Sequence, residues 1–513
     1  MEKKLVENLL NNKNMNRLIF SLILFLIVLL PIYGQQHDYV WTMGRDYDLS
    51  NEVIEGNLLS FRSGILEVIP DSFYLELNST MASVCDAQGN LMFYTNGCKI
   101  ANAQHQLIEN GEGINPGETH DVYCINEEYP WRGTYIAGNQ SALILPKPEY
   151  DSVFYLFHKG RRIDSTEEDY NGPLYWTEVN MTMNGGNGFV EQKNQVILNT
   201  PMHFGQLTAV KHANGVSWWV ITPGGLNTNT YYRFLFSSSG INIVQEQSIG
   251  AQSTRSGGWS NFSPDGSKFV RYAPIGDDIF LFNFDRESGL LSDFQQITIE
   301  EEEEWYGGVA FSPNSRFLYV SSYDFIYQFD TWADDIAASR ITVAEYEYQG
   351  QFIEENFWGM QLGPDCQLYV FCNSCDVIHV IHNPDEPGLA CNFEQAAVQL
   401  PWPIFRSQPH FPNYRLGPVG NEGLPCSPVV SVQETVLPTA SMQLFPNPAD
   451  QYIVLTSPTA SDTWLLYDSM GRLLKQARLQ AATPKQVDVS DLRAGLYFWK
   501  LLGSGECGKL VKG

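Results

Sequence analysis

Two pairs of residues carry side chains that acid–base or metal chemistry would need. His379 and His382 stand three residues apart in an apolar run, and His120 precedes Asp121 in the stretch GINPGETHDVYC. Residues at odd spacing in a strand point to opposite faces, so His379 and His382 do not converge on one metal ion. His120 and Asp121 suit an acid–base couple, but the sequence offers no third member beside them. We therefore predict structural roles for both pairs, with no catalytic and no metal-ligating residues.

Enzyme motifs are also missing from the sequence. It contains no G-x-S-x-G nucleophile elbow, no H-E-x-x-H zinc motif, no phosphate-binding G-x-x-x-x-G-K-S/T loop and no sialidase-type S-x-D-x-G-x-T-W repeat. The stretch DYDLSNE from Asp46 begins like a calcium loop, but it lacks the glycine at position six and the glutamate at position twelve. The sequence favours a protein that is not an enzyme and has no cofactor, with calcium at Asp46 as the alternative.

The composition indicates which elements hold these residues. Of the 513 residues, 43% are apolar and 13% aromatic, whereas only 17% are charged. Aromatic-rich, charge-poor chains tend to be all-β, because aromatic side chains fit a pleated, half-buried surface. The net charge of -27 is repelled by phosphate backbones and by anionic membrane surfaces, so we expect no nucleic-acid partner.

A repeat supports the all-β prediction. Three segments share an apolar strand, a tight turn and a second alternating strand: WSNFSPDGSKFVRYAP from Trp259, GGVAFSPNSRFLYVSS from Gly307 and WGMQLGPDCQLYVFCN from Trp358. Their turn residues Asp265, Asn314 and Asp365 lie 49 and 51 residues apart. Proline presets the first turn position, and Asp or Asn accepts a backbone hydrogen bond. Each turn is followed by a third strand, which gives three or four strands per 50 residues.

Weaker copies of the repeat begin at Ala82, Gln140 and Leu207. A period near 50 with four strands per unit is typical of a β-propeller. Six units are clear, and a seventh would be closed by strands from both ends. We predict a propeller of six or seven blades over residues 35–415; the alternative is a large β-sandwich, which would lack a fixed period.

Three stretches resemble a group of secreted propeller proteins common in Bacteroidetes. They are DAQGNLMFYTNGCKIANAQHQLIENGEG from Asp86, QSALILPKP from Gln140 and HFPNYRLGP from His410. The resemblance implies a propeller fold and secretion, and it implies little about activity.

Aromatic clusters lie in or beside the enlarged loops of the predicted propeller. Aromatic side chains on a rigid rim stack on sugars or anchor peptides, although packing between blades uses the same residue types. The residues that we predict as possible ligand contacts are Trp131, Tyr175, Trp176, Trp218, Trp219, Tyr231 and Tyr232.

The N-terminal segment predicts export. LIFSLILFLIVLL, from Leu18 to Leu30, has thirteen residues, all apolar except Ser21, and follows Arg17. It is too short for a membrane span of about 20 residues and suits the apolar region of a Sec signal. We predict a signal peptide over residues 1–34, with a membrane anchor as the alternative, and no membrane span after cleavage.

Export determines how the nine cysteines are interpreted. In an oxidising compartment, disulfides or buried thiols are expected. Cys372-Asn-Ser-Cys375 looks like half of a zinc knuckle, but the other half is missing from the sequence. The odd number leaves at least one thiol unpaired or paired with another chain.

The last part of the chain differs from the rest. Residues 416–440 read as a Pro- and Gly-rich linker, and residues 441–513 contain short alternating strands that predict a small β-sandwich. This segment closely resembles the C-terminal (type A) sorting domain of the type IX secretion system. The matching motif residues are Pro446, Asn447, Pro448, Tyr467, Asp468, Gly471, Gly495, Tyr497 and Lys509.

The resemblance implies handling by the type IX secretion machinery after passage through the periplasm. It also implies removal of the domain at the surface, followed by anchoring or release. We therefore expect a secreted or cell-surface propeller that binds a glycan or a protein. The alternatives are a polysaccharide-acting hydrolase or lyase and a structural or gliding-associated surface protein.

Overall fold

The structure is a computed structural model that forms two compact units, divided between Val429 and Val430. It describes residues 35–44, 54–125, 133–163, 169–254, 257–273, 278–299, 307–348, 350, 355–426, 443–456, 462–468, 472–480, 483–501 and 507–512. The predicted signal peptide and the DYDLSNE stretch therefore lie outside the described residues. Within the described residues, no helix is both long enough and apolar enough to cross a membrane.

Seven successive groups of antiparallel strands make up the first unit within its described residues. The first group has three strands: β1 (Val40–Met43), β2 (Ile54–Ser60) and β3 (Glu67–Phe73). The second and third groups have four each: β4 (Ala82–Cys85), β5 (Leu91–Thr95), β6 (Lys99–Asn102), β7 (Leu107–Glu112), β8 (Ala142–Pro146), β9 (Val153–Ile163), β10 (Asp169–Asn180) and β11 (Phe189–Leu198). The outer strands β7 and β11 pair in parallel, which joins these two groups into one eight-stranded sheet.

The remaining four groups also have four strands each. They are β12 (Thr208–Lys211), β13 (Trp218–Pro223), β14 (Thr230–Ser237), β15 (Gly240–Ser248), β16 (Trp259–Phe262), β17 (Lys268–Ala273), β18 (Asp278–Asp285), β19 (Leu290–Ile297), β20 (Gly307–Phe311), β21 (Phe317–Ser322), β22 (Phe325–Asp330), β23 (Ile341–Glu345), β24 (Met360–Leu362), β25 (Leu368–Val370), β26 (Ser374–Ile381) and β27 (Phe393–Phe405). A short helix, α1 (Glu118–Tyr123), lies in the connection between β7 and β8. Single 3-10 turns span Asn184–Gly186, Ala337–Ser339 and Gly388–Cys391.

The repeat predicted from sequence is confirmed strand by strand. Asp265 lies in the turn between β16 and β17, and its Oδ1 accepts hydrogen bonds from Ser263 and from the amide of Ser267. Gly266 follows at φ +73°, a conformation that glycine adopts without strain. Asn314 and Asp365 hold the equivalent turns after β20 and β24.

The seven groups close into a ring. The first strands of neighbouring groups lie side by side: β1 beside β4, β4 beside β8, β12 beside β16, β16 beside β20 and β20 beside β24. The last group packs against the first through β27, β2 and β3. Asn57 on β2 closes the ring, because its side chain donates to the carbonyl of Trp402 at 2.8 Å and accepts from the amide of the same residue. The fold is thus an all-β propeller, and the described strands form seven blades.

Residues Ser407–Leu416, here called the axial segment, run along the centre of this ring. Gln140, ahead of β8 in blade three, donates to the ring of His410 at 2.9 Å, and the hydroxyl of Tyr414 donates to the carbonyl of Ile144 at 2.7 Å. The amide of Phe411 is bonded to Gln361 of blade seven. Asn413 donates to the carbonyl of Pro264 in blade five. Only the axis of the ring lies within hydrogen-bond reach of blades three, five and seven at once, so the axial segment fills the channel.

The folded part of the first unit extends beyond the predicted boundary at residue 415. Cys426 forms a disulfide with Cys366 in the turn of blade seven, and Leu416 is buried. The first residues of the predicted linker 416–440 are therefore attached to the propeller, because this bond and the axial segment hold them there. Residues 427–440 lie outside the described residues.

Disulfides and buried thiols account for the cysteines whose side chains are described. Cys98–Cys124, Cys366–Cys426 and Cys372–Cys375 are bonded, and Cys85 and Cys391 are buried thiols. The C-x-x-C pair is thus a disulfide, as the sequence-based argument against zinc predicted.

The second unit contains two antiparallel sheets. Its strands are β28 (Gln443–Phe445), β29 (Tyr452–Thr456), β30 (Asp462–Tyr467), β31 (Leu473–Leu479), β32 (Lys485–Asp488), β33 (Gly495–Leu501) and β34 (Cys507–Lys512). Within the described residues, one sheet has the order β28-β29-β32 and the other β31-β30-β33-β34. Side chains of both sheets, among them Ile453 and Trp464, share one buried core. This is the small β-sandwich that the alternation predicted.

Candidate functional site

A pocket opens on one axial face of the propeller. It encloses about 230 Å³ and is lined by residues that stand at or just before the first strands of blades two to seven, together with the residue that follows β27. Since each blade begins on the same face, these positions converge around the axis, above the axial segment. The lining residues are Ser79, Ile136, Gly138, Asn139, Phe204, Gly257, Gly258, Trp259, Gly307, Trp358 and Arg406.

Three aromatic rings and Ile136 form the apolar part of this axial pocket. Phe204 is half-buried, whereas Trp259 and Trp358 are 2% and 8% exposed, so only small parts of the two indoles reach the cavity. Gly138 lets the Phe204 ring approach, because a Cβ at position 138 would lie 2.4 Å from a carbon of that ring. Gly359 does the same for Trp259, since a Cβ there would lie 2.4 Å from the indole. The rings are therefore fixed by close backbone contacts.

Arg406 is the charged residue among the described lining residues. Its guanidinium lies 5.8 Å from the ring of Trp358 and donates to Asn373 Oδ1 at 3.3 Å. Among the described residues, no carboxylate pairs with it. The backbone of Arg406 has φ +54°, a left-handed conformation that costs a residue other than glycine about 1–2 kcal/mol. This turn directs the chain from β27 into the axial segment and places the side chain at the pocket.

Two buried basic side chains, Lys159 and Arg271, hold the loop that carries Phe204, here called the Phe204 wall. Lys159 Nζ donates to the carbonyl oxygens of His203 and Gly205, which flank Phe204. Arg271 donates to Gln206 Oε1 at 2.6 Å and to the ring of His203 at 3.2 Å. Burial, and then the charge of Arg271, hold the pKa of Lys159 well below its usual value and lower the pKa of His203. An arginine stays protonated, so positive charge is built into this wall.

Two polar side chains, Ser79 and Asn139, also line the pocket. Among the described residues, Asn139 Oδ1 has no hydrogen-bond partner, but this oxygen is buried, and a ligand in the cavity does not reach it unless the amide rotates. The pocket thus combines aromatic rings, polar side chains and a guanidinium.

The aromatic residues predicted as ligand contacts lie elsewhere. Trp218, Trp219 and Tyr231 are 0%, 3% and 2% exposed, so they pack blades and present no surface. Tyr175 is also buried, and its ring is stacked on His158. These four side chains point into the blades because the alternating strands turn them inward, whereas the prediction placed them on a ligand-contacting rim.

Two of the other three predicted contact residues are half-buried. Trp176 is stacked on Tyr155 with ring centroids 4.5 Å apart, and Tyr232 lies on β14. Trp131 lies outside the described residues. None of the six described residues among them lines the axial pocket.

The histidine pairs have structural roles. His379 is fully buried, donates to the carbonyl of Glu355 and accepts from the amide of Ala396. His382 is half-buried and contacts Glu394 at 2.8 Å. His120 lies in α1 and is bonded to the carbonyl of Ile114. The described residues contain no group of three metal-ligating side chains.

The pocket residues could have been found from the repeat. Trp259, Gly307 and Trp358 are the lead-in positions of the three aligned segments. In a propeller, lead-in residues of successive blades share one axial face, and this rule would also have pointed to Phe204 ahead of blade four. Arg406 belongs to no repeat, so its position depends on how the chain crosses the axis.

The predicted sorting motif is built into the second unit. Asn447 binds β34 twice: its Nδ2 donates to the carbonyl of Lys509 at 2.9 Å, and its Oδ1 accepts from the amide of Val511 at 2.8 Å. Asp468 holds the turn after β30 by accepting from the amide and the guanidinium of Arg472. The hydroxyl of Tyr497 donates to the carbonyl of Arg493. Gly471 lies outside the described residues.

The fold and the second unit together define a β-propeller protein with a separate C-terminal β-sandwich. Residues 443–512 match the family model of the secretion system C-terminal sorting domain, and this part of the chain belongs to that family. The protein is therefore a propeller with a type IX sorting tail, which indicates handling by that machinery and export to the cell surface or beyond.

Solved structures give weaker likenesses. The periplasmic gluconolactonase of Pseudomonas aeruginosa is 10% identical with a TM-score of 0.36 and covers 88% of this chain and 99% of its own. A Lactobacillus plantarum protein is 10% identical with a TM-score of 0.37, and the match covers 88% of this chain and 99% of that protein. The Cps50 (Swd1) β-propeller domain of Myceliophteria thermophila is 11% identical with a TM-score of 0.34, and the match covers 65% of this chain and 93% of that domain. A comparison with curated proteins gives no match. The blade assignment thus depends on the strand pairing of this chain.

Proposed function

We propose that this protein is an exported glycan-binding propeller and that the axial pocket is its binding site. The observation that carries the proposal is the composition of the pocket wall: the rings of Phe204, Trp259 and Trp358 lie beside Ser79 and Asn139, whose side chains can accept hydrogen bonds. Sugars present C–H faces that pack on aromatic rings, and hydroxyl groups that donate to such acceptors.

The size of the pocket favours one sugar unit or a chain end. Its volume of about 230 Å³ lies below the roughly 300–1,000 Å³ of sites for drug-sized ligands. The axial segment closes the channel beneath it, so a polymer cannot thread through the ring. A protein ligand would need a larger contact area than this pocket offers.

Export fits the proposal, because the sorting domain brings the propeller to surroundings rich in polysaccharide. We also propose that residues 1–34 are a Sec signal that delivers the chain to the periplasm first. Hydrolysis of glycosidic bonds ordinarily uses two carboxylates, and the described lining residues include none. We therefore favour binding over cleavage.

A glycan array probed with the purified protein tests the proposed function. Phe204→Ala is the pocket variant, and Phe294→Ala, which removes a half-buried ring from β19, is its matched control. We expect bound glycans with the wild type and the control, and weaker signals with Phe204→Ala. Equal binding by all three proteins, or turnover of a polysaccharide without binding, would refute the proposal.

A further inference from the structure

We propose that the axial pocket selects a sugar with an anionic group, such as a carboxylate or a sulfate, and that Arg406 binds that group. This inference rests on the proposed function and makes it more specific. The three observations that carry it are the position of Arg406, the positive charge of Arg271 behind the Phe204 wall, and the net charge of the whole chain.

The first observation is the guanidinium itself. Arg406 faces a cavity whose other described lining residues are neutral, and among the described residues no carboxylate occupies its donors. Among the described residues, its side chain makes one hydrogen bond, to Asn373, which leaves donors available for a planar anion. Guanidinium groups suit such anions because they donate two parallel hydrogen bonds.

The second observation is the positive charge next to the pocket. Arg271 is joined to the pocket wall through Gln206, which accepts from Arg271 and donates to the carbonyl of Gly257. Lys159 supports the same loop through the carbonyl groups on either side of Phe204. A negative group in the cavity is attracted by the charge of Arg271, and burial strengthens that attraction because the interior screens less than water.

The third observation is the contrast with the rest of the molecule. The chain has 58 acidic and 31 basic side chains, so a typical surface region repels anions. The two guanidinium groups, Arg406 at the pocket and Arg271 behind its wall, are therefore a local reversal of sign. Such a reversal gives specificity, because anions are attracted to this pocket and repelled elsewhere.

The ring of Phe204 and the anion site work on different parts of one ligand. Phe204 contacts the apolar face of the sugar, and Arg406 approaches from the end of β27 to reach its charged substituent. Neutral sugars keep the first contact and lose the second. The expected preference for the anionic form is about 10- to 100-fold, because a hydrogen bond to a charged group is stronger than one between neutral groups.

Calorimetric titration of the purified protein tests this inference. The ligands are a uronic-acid-terminated oligosaccharide, the same oligosaccharide with its carboxyl group reduced to an alcohol, and a sulfated counterpart. We expect at least one anionic form to bind about 10-fold or more tightly than the neutral form, and the two anionic forms show which group is preferred.

Variants locate the preference. Arg406→Gln should reduce the affinity for the anionic ligand to that for the neutral one, whereas Arg406→Lys should keep part of the preference. Arg62→Gln is the matched control, because Arg62 is an exposed arginine on the loop between β2 and β3. Unchanged thermal midpoints show that each variant is folded.

The outcomes separate the two proposals. Equal binding of neutral and anionic ligands, lost in Phe204→Ala, overturns the anion inference and supports the proposed function. A preference that survives Arg406→Gln also overturns the inference. Absence of binding to every array glycan and every titrated ligand overturns both.

Discussion

Asp38 and Arg415 lie 377 residues apart in the sequence and form a two-pronged ion pair, with N–O distances of 2.5 and 2.7 Å. Their side chains are 3% and 9% exposed. Asp38 precedes β1 and Arg415 is the penultimate residue of the axial segment, so this pair joins the beginning of the propeller to its central segment. The charge of Asp38 raises the pKa of Arg415 despite its burial. The ring is therefore closed at its blades by Asn57 and at its axis by this pair.

Breaking the axial ion pair should destabilise the propeller. Asp38→Asn leaves the buried charge of Arg415 without its partner, and we expect the free energy of unfolding to fall by about 3–5 kcal/mol. The double variant with Arg415→Met should recover much of this loss, because it removes the unpaired charge. Denaturant midpoints measure both effects.

A surface pair provides the control for that experiment. Asp330→Asn breaks the contact between Asp330 and Arg316, whose side chains are 22% and 40% exposed. Solvent screens such pairs, so we expect a much smaller change. Similar losses at the two sites would show that the axial pair has no special role in closure.

The disulfide between Cys366 and Cys426 should hold the segment that follows the axial segment. The two cysteines are 60 residues apart, and the chain-entropy model gives about 4 kcal/mol for a loop of that size. Replacing both by serine should lower the thermal midpoint and expose residues 417–425 to proteolysis. The comparison is the variant in which Cys98 and Cys124 are both replaced by serine. In that variant we expect cleavage near residues 98–124 and none after Arg415.

Acid should weaken the propeller through its buried histidines. Burial lowers the pKa of His379 to about 4 from 6.5, and its Nδ1 already accepts from the amide of Ala396. The unfolded chain therefore binds more protons than the folded one between pH 6.5 and 4. Stability from this group is complete above pH 6.5 and is lost as the pH falls toward 4, by about 3 kcal/mol in total.

The variant His379→Gln isolates this contribution. Glutamine offers both a donor and an acceptor but does not titrate here. We expect the difference in unfolding free energy between wild type and variant to shrink as the pH is lowered from 7 to 4. A difference that stays constant across this range would contradict the assignment of a neutral, buried imidazole.

The sorting domain should be needed for surface display. Deleting residues 441–513 is expected to leave a folded propeller in the periplasm, as judged by fractionation and protease protection. Asn447→Ala removes both hydrogen bonds to β34 and should reduce the exported fraction. Gln451→Ala, at an exposed position of the same unit, is the control. Normal display of the truncated chain would refute this prediction.

Much of the fold could be predicted from the sequence because its signals are local. The turns at Asp265, Asn314 and Asp365 depend on residues within four positions of each other, and so does the hairpin turn at Asp468. The sequence predicts six or seven blades and does not decide between the two numbers. The first group has only three strands, and it packs against the last group, which comes from the other end of the propeller sequence.

The candidate site was harder to predict because it is non-local. Phe204, Trp358 and Arg406 come together only when the ring closes, and Arg406 adopts a backbone conformation that no local pattern announces. Aromatic pairs such as Trp218 and Trp219 stand out in the sequence, yet strand alternation buries them. Alternation gives the face of a residue on its own strand, but it does not say which faces are covered by neighbouring blades.

The most direct test of the central claim is to find where the glycan binds. A photoreactive derivative of the best array ligand is crosslinked to the purified protein, and the adducts are mapped by mass spectrometry with and without unlabelled competitor. We predict competed adducts on peptides that contain Phe204, Trp358 or Arg406. Competed adducts confined to the outer blade surfaces or to residues 443–512 would contradict the account.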